Sequence, residues 1–150
     1  MSVELVIRDS DGVYTPNIIG SADDPVTLTA NYSGNIATFK ANEFVAIAFN
    51  VFYTPTVSGR NLYLLVEGSV DGQNFAAKAV FKDDVNSGSV VRVFNDEECK
   101  LAGATSGEQY DARYIVKTLD RYLRISVKED GVNNFGTAFI HAQGETNRIV

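Results

Sequence analysis

Asp9-Ser10-Asp11-Gly12 has the opening of a calcium-binding loop, two carboxylates one residue apart followed by a glycine. A complete loop needs oxygen ligands through its twelfth position, where a bidentate Glu closes the shell. Counted from Asp9, that position is Gly20, which has no side-chain oxygen, so the motif reads as a turn. Asp23-Asp24, Asp83-Asp84 and Asp96-Glu97-Glu98 are the other places where carboxylates gather. A glycosidase needs two such groups facing each other about 5–10 Å apart across a sugar. Each of these groups falls in a turn or at a helix start, where carboxylates solvate loops and accept from backbone donors. Solvated surface is the expectation for all three.

His141 is the chain's one histidine and Cys99 its one cysteine. One Cys excludes an internal disulfide, and one of each leaves a zinc site without enough ligands. His141 has no Ser or Cys signature nearby and reads as a structural side chain. Cys99 follows three acidic residues, which raise a thiol's pKa and make it a poor nucleophile. There is no Gly-x-Ser-x-Gly elbow and no phosphate-binding glycine loop. The chain therefore reads as a non-enzyme without metal or cofactor. The aromatic residues carry more: seven Tyr and nine Phe, with no Trp. Alternation assigns Tyr63, Tyr114 and Tyr122 to outward strand faces. Outward tyrosines stack on sugar rings or anchor protein interfaces. Packing between subunits is the expected use.

The elements that would position these residues are strands. Leu62, Leu64, Val66, Gly68 and Val70 alternate with other residues, as do Phe75, Ala77, Ala79 and Phe81, and Leu123, Ile125 and Val127. Period two is a strand with one buried face. Val45, Ile47, Phe49, Val51 and Tyr53 are in phase as well, but Phe44, Ala46, Ala48 and Phe52 make the other face apolar. Such a strand is central or lies under an oligomer contact. Turn signals at Thr54-Pro55 to Ser58-Gly59, Asp71-Gly72, Asp83 to Gly88 and Asp130-Gly131 to Asn134 punctuate the chain, as in an all-β sandwich or barrel. The expected strands are 3–8, 26–30, 44–53, 61–70, 75–82, 89–94, 110–119, 121–128 and 136–142, on two antiparallel sheets of a jelly roll. Asp71-Gly72 is expected at the tip of the hairpin joining 61–70 to 75–82, with Phe75 returning to the core. One helical turn is expected at 95–102, capped by Asn95.

Residues 10–33 hold Gly12, Pro16, Gly20 and Asp23-Asp24-Pro25 with little periodicity. Residues 1–33 are read as a long N-terminal arm with the first strands, and 34–150 as the sandwich, within one domain. At 150 residues, one domain of radius of gyration about 15 Å is the size expected. Apolar residues at 45% and charged residues at 21% suit a folded globule. Thirteen Lys+Arg against nineteen Asp+Glu leave a net charge of −6, which speaks against duplex nucleic acid or anionic membrane as a partner. Met1-Ser2-Val3-Glu4 lacks a basic region followed by an apolar stretch, so synthesis in the cytoplasm is expected.

The segment Leu62-Tyr-Leu-Leu-Val-Glu-Gly-Ser-Val-Asp-Gly-Gln-Asn-Phe75 resembles the Gly-Ser-x-Asp-Gly-x-aromatic hairpin of discoidin-like jelly rolls. Asp120-Arg-Tyr-Leu-Arg-Ile-Ser-Val127 resembles their Arg-Tyr-aliphatic-Arg-aliphatic strand. The same pair is similar to small jelly-roll virion proteins of tailed bacteriophages, which are short, acidic and free of disulfides. The pattern extends over 44–142 and brings no site residue with it. That resemblance implies a capsid decoration or cement protein, a homotrimer on the capsid surface that bridges major capsid proteins. The arm would reach the neighbouring subunit. The alternative it implies is a carbohydrate- or receptor-binding module of a tail or fibre. On either reading the domain is metal-independent, and thermal melts with and without EDTA should coincide. A fall of about ten degrees in EDTA would return Asp9 and Asp11 as ligands, a loss of a few kcal/mol for a domain of this size.

Overall fold

The structure is a computed structural model that describes residues 2–3, 7–8, 14–15, 17–41, 44, 46–84, 89–94, 99–117 and 120–145. The strands are β1 (Ser2–Val3), β2 (Ile7–Arg8), β3 (Tyr14–Thr15), β4 (Asn17–Ile19), β5 (Val26–Thr27), β6 (Ile36–Lys40), β7 (Ala46–Thr54) and β8 (Arg60–Ser69). They continue with β9 (Ala76–Ala77), β10 (Ala79–Asp84), β11 (Ser89–Phe94), β12 (Lys100–Gly103), β13 (Tyr110–Lys117), β14 (Tyr122–Glu129) and β15 (Thr137–Glu145). The larger sheet runs β1-β15-β7-β13-β10-β11, with β4 and β5 also on β15. The smaller runs β12-β8-β14-β6, with β9 beside β8, and β2 and β3 form a separate ribbon. The two sheets are antiparallel throughout and stack as a jelly-roll sandwich. From β6 onward the chain changes sheet at nearly every connection; β8–β9 and β10–β11 are the exceptions.

The core follows the alternation in the sequence. Ile47, Phe49, Val51 and Tyr53 of β7 face inward and are fully buried. They meet Leu62, Leu64 and Val66 of β8 and Leu123, Ile125 and Val127 of β14 in one apolar cluster. Phe39 of β6 meets Phe49 edge-on across the sandwich, 6.1 Å between ring centres. Each fully buried aliphatic or aromatic side chain stabilises the fold by roughly 1.5–3 kcal/mol. The two-sided apolar strand is central, as expected, between β15 and β13.

One buried carboxylate joins the sheets at one end. Glu129, at the end of β14, accepts from the Tyr53 hydroxyl of β7, from the Gly136 amide at 3.0 Å and from Arg60 Nη1 at 3.4 Å. Burial, then the bond to Glu129, hold the Tyr53 phenol well above its usual range, so it stays a donor. Asp130, next in the chain, accepts from both the backbone and the side-chain amide of Asn61 at 2.8 and 2.9 Å.

Three expectations are corrected. The strand expected over 75–82 divides: β9 pairs with β8, whereas β10 pairs with β11 and β13 in the other sheet. Lys78 stands at the crossing, and its amide donates to Val66. Phe75 does not enter the core; the Arg124 guanidinium covers its half-buried ring at 4.1 Å. Of the helical turn expected over 95–102, residues 95–98 lie outside the described residues, and 100–102 belong to β12, where Leu101 points inward opposite Leu62. Edge pairing with β8 outweighs the local helix signal there. Three further short strands, β3, β4 and β6, were not expected, because none carries enough apolar residues to mark a face without its partner.

The Asp71-Gly72 hairpin is present. Glu67 pairs with Ala77 and Gly68 with Ala76 across it. Asp71 accepts from the Asn74 and Gln73 amides at 2.8 Å, the Asn74 side chain at 2.7 Å and the Ser69 hydroxyl at 2.9 Å. Those donors hold its carboxyl below the usual carboxylate range, the Asn74 amide foremost. A depressed carboxyl adds stability above its unfolded pKa, near 3.9, and that contribution is lost as the pH falls further. Gly72 has φ +78°, and a Cβ there would come within 3.3 Å of the Tyr122 ring. Gly72→Val should therefore cost about 1–3 kcal/mol. Thermal melting of the variant checks this; an unchanged midpoint would overturn the turn assignment.

Candidate functional site

The outer face of the larger sheet combines aromatic rings with hydrogen-bonding groups that are already fixed. Its residues are set by register. Phe52 lies opposite Phe139 on β15 and Asp111 on β13; Asn50 lies opposite His141 and Arg113; Ala48 lies opposite Gln143 and Ile115. All of these alternate with the inward row of β7, so the pleat that builds the core also builds this face.

Phe52 and Phe139 stack, with centres 4.6 Å apart and planes 13° from parallel. The His141 ring closes the group at 5.5 Å from Phe52 and 5.3 Å from Phe139. Phe139 is nearly buried at 9% exposure, while Phe52 and His141 are half-buried. Beside the rings, Arg113 Nε donates to Asn50 Oδ1 at 3.0 Å and Arg113 Nη2 to Gln143 Oε1 at 3.4 Å. The guanidinium thus spans β7 from β13 to β15, above the small side chain of Ala48. A guanidinium carries five donor hydrogens, so this bridge leaves further donors at the surface. Phe81, Ile115 and Lys117 flank the bridge, with Lys117 Nζ 5.6 Å from the Phe81 ring centre. The result is a shallow surface of half-buried apolar groups edged by exposed donors and acceptors. It is suited to an extended polar ligand with apolar C–H faces.

The residues singled out from sequence fare differently. His141 is in this face, held by rings. Tyr63 and Tyr122 lie outward, half-buried, on the smaller sheet. Tyr114 does not: it is fully buried, opposite Phe49 in the register of β13 with β7, and its hydroxyl has no hydrogen-bond partner among the described residues. The chain enters β13 one position out of the assumed phase, so Arg113 and Ile115 take the outer face instead. Asp23 and Asp24 are exposed in a turn where the Asp24 amide donates to the Ser21 hydroxyl at 3.1 Å. Asp9, Asp11, Asp96, Glu97, Glu98 and the side chains of Asp83 and Asp84 lie outside the described residues. No group of three metal-ligating side chains occurs among the described residues. Phe52, Phe139, Asn50, Arg113 and Gln143 were not foreseen as a site. The one signal was the apolar outer face of 44–53; Arg113 and Gln143 join it only through strand pairing.

No protein-family profile matches the chain, and no curated protein is similar to it. Among solved structures it is similar to the CBM22-1 and GH10 modules of Clostridium thermocellum xylanase 10B, solved with xylohexaose (11% identity, TM-score 0.44, 100% of this chain and 25% of that one). It is also similar to the CBM22-1 xylan-binding domain of Paenibacillus barcinonensis Xyn10C (8%, 0.42, 100% and 95%). A third is the N-terminal cellulose-binding domain of Cellulomonas fimi β-1,4-glucanase C (9%, 0.41, 89% and 82%). The chain spans a quarter of the first of these. Overlaps this low carry no argument about ligand. The jelly roll that the sequence resemblance implied is present in the two stacked antiparallel sheets.

Cys99 is buried at 1% exposure, and its carbonyl accepts from the Leu64 amide at 3.0 Å. Burial pushes its thiol up to about 12, against an opposing pull from Lys82. Desolvation is the foremost cause. At pH 8 the folded protein should leave a thiol reagent such as Ellman's unreacted, and the denatured chain should react at once. Rapid labelling of the folded protein would overturn this.

Proposed function

We propose that this domain is a non-catalytic carbohydrate-binding module that lays an extended, neutral polysaccharide across the outer face of its larger sheet. The observation that carries the reading is the Arg113 bridge to Asn50 and Gln143 beside the Phe52–Phe139–His141 ring group. Sugar rings offer apolar C–H faces and many hydroxyls, and this face supplies the counterpart of each. The donors are held before any ligand arrives, which lowers the ordering cost of binding. His141 contacts rings, and no nucleophile is paired with it among the described residues, so the face supports binding without bond cleavage.

The other reading is a capsid decoration protein, trimeric on the major capsid protein of a virion. It rested on the resemblance, the acidic charge and the two-sided apolar strand at 44–53, with residues 1–33 as the arm that reaches the neighbour. Within that stretch, β1, β4 and β5 are laid along β15. No separate observation on the described residues favours it.

Affinity electrophoresis against soluble xylan, β-glucan, mannan and galactan tests the proposal. At least one polymer should retard the protein. Arg113→Ala and Phe52→Ala should each weaken that interaction about tenfold or more, the loss typical of a central contact residue. Melting midpoints should stay close to the parent for Arg113→Ala, whose side chain is exposed. If no polymer binds while the protein sediments with capsids, the decoration reading replaces this one.

A further inference from the structure

The outer face of the smaller sheet is different in charge and in kind. Its outward positions are Lys100 and Ala102 on β12, Asn61, Tyr63, Leu65 and Glu67 on β8, Tyr122, Arg124, Ser126 and Lys128 on β14, and Ile36, Thr38 and Lys40 on β6. Among the described residues of these strands, four cations stand against one carboxylate, in a chain whose net charge is −6. The carboxylate is taken: Glu67 receives both Arg124 Nε and Nη2 at 3.0 Å. Lys100, Lys128 and Lys40 make no ion pair among the described residues.

Their placement is ordered. Lys100, Tyr63 and Lys128 form one row across three neighbouring strands. Lys128 Nζ lies between two aromatic rings, 4.6 Å from the Tyr32 centre and 5.6 Å from the Tyr63 centre. The rings attract the ammonium and hold it in place without neutralising it. A held cation without an ion pair among the described residues, with a second cation two strands away, is a site for a ligand with repeated negative charge.

We infer that the Lys100–Tyr63–Lys128 row on the smaller sheet is a second binding surface, for an acidic polysaccharide carrying carboxylates along its chain. Single-stranded nucleic acid fits less well. Its bases stack on a series of open aromatic faces, whereas here Lys128 lies by the Tyr32 and Tyr63 rings and Arg124 by that of Phe75, which leaves Tyr122 as the one outward ring on these strands with no cation against it among the described residues. A ligand read through charge and hydroxyls needs no open ring. This surface is independent of the neutral-glycan face on the opposite sheet.

Polygalacturonate is the probe, with its carboxyl-reduced form as the neutral control, measured by calorimetry at low salt and again at about 0.3 M salt. The acidic polymer should bind and the reduced one should not bind through this face. Salt should weaken the interaction strongly, because exposed charges are screened over about 6 Å at that ionic strength. Each exposed ion pair is worth up to about fivefold in affinity, so Lys100→Gln with Lys128→Gln should cost up to about 25-fold. Lys128→Arg should restore binding in part, since it keeps the charge between the rings. Failure of polygalacturonate to bind, equal binding by the double variant, or tighter binding of an oligothymidylate would each overturn the inference. None of those outcomes bears on the neutral-polymer test of Arg113 and Phe52.

Discussion

Ile47, Phe49, Val51 and Tyr53 lose all contact with water against the smaller sheet, and this row sets everything else about β7. A slip of one residue would turn four buried side chains outward and cost several kcal/mol at roughly 1.5–3 each. Because that cost is prohibitive, Ala48, Asn50 and Phe52 must face out. The neighbours inherit the same phase through pairing, which is how Arg113 and Gln143, thirty residues apart, come within reach of one another. The candidate site is in this sense a by-product of the core.

Glu129 adds a directional constraint to a contact that is otherwise non-directional. An apolar interface between two sheets tolerates sliding, but a buried carboxylate with donors from Tyr53, Arg60 and Gly136 does not. Ionised carboxylates are costly to bury unless their lone pairs are satisfied. The arrangement satisfies them from β7, from β8 and from the loop ahead of β15, so one end of the sandwich is pinned. The adjacent Asp130–Asn61 pair repeats the pinning between β8 and the loop that follows β14.

Much of this was legible in the chain. The alternation in 45–53, 62–68 and 121–128 marked the inner rows because those strands bury one face against a whole sheet, whereas Val70, read as the end of the inward row, lies past β8 and is exposed. Gly72 was legible because a positive φ at a two-residue signal is a local matter. What could not be read was anything decided by a distant partner. Tyr114 was assigned outward because β13 carries mixed residues on both faces, and only its pairing with Phe49 fixes the phase. The break at Lys78 was hidden because both halves of 75–82 are extended, and a change of sheet leaves no mark in an alternating pattern. The outer-face site was hidden for a related reason. Its members lie on β7, β13 and β15, each unremarkable in its own strand.

The order in which strands are made differs from the order in which they pair. β1, β4 and β5 all hydrogen-bond to β15, the last strand described, and so does the central β7. While the chain is being synthesised, those early strands have no edge to join until residue 145 has emerged. With nearly every connection also changing sheet, few local hairpins exist to hold intermediate structure, and loop-closure entropy must be met before most pairings form. The domain therefore completes its folding only once β15 has emerged from the ribosome. In that interval the apolar row of β7 has only one of its two flanking strands, and chaperone dependence would concentrate there.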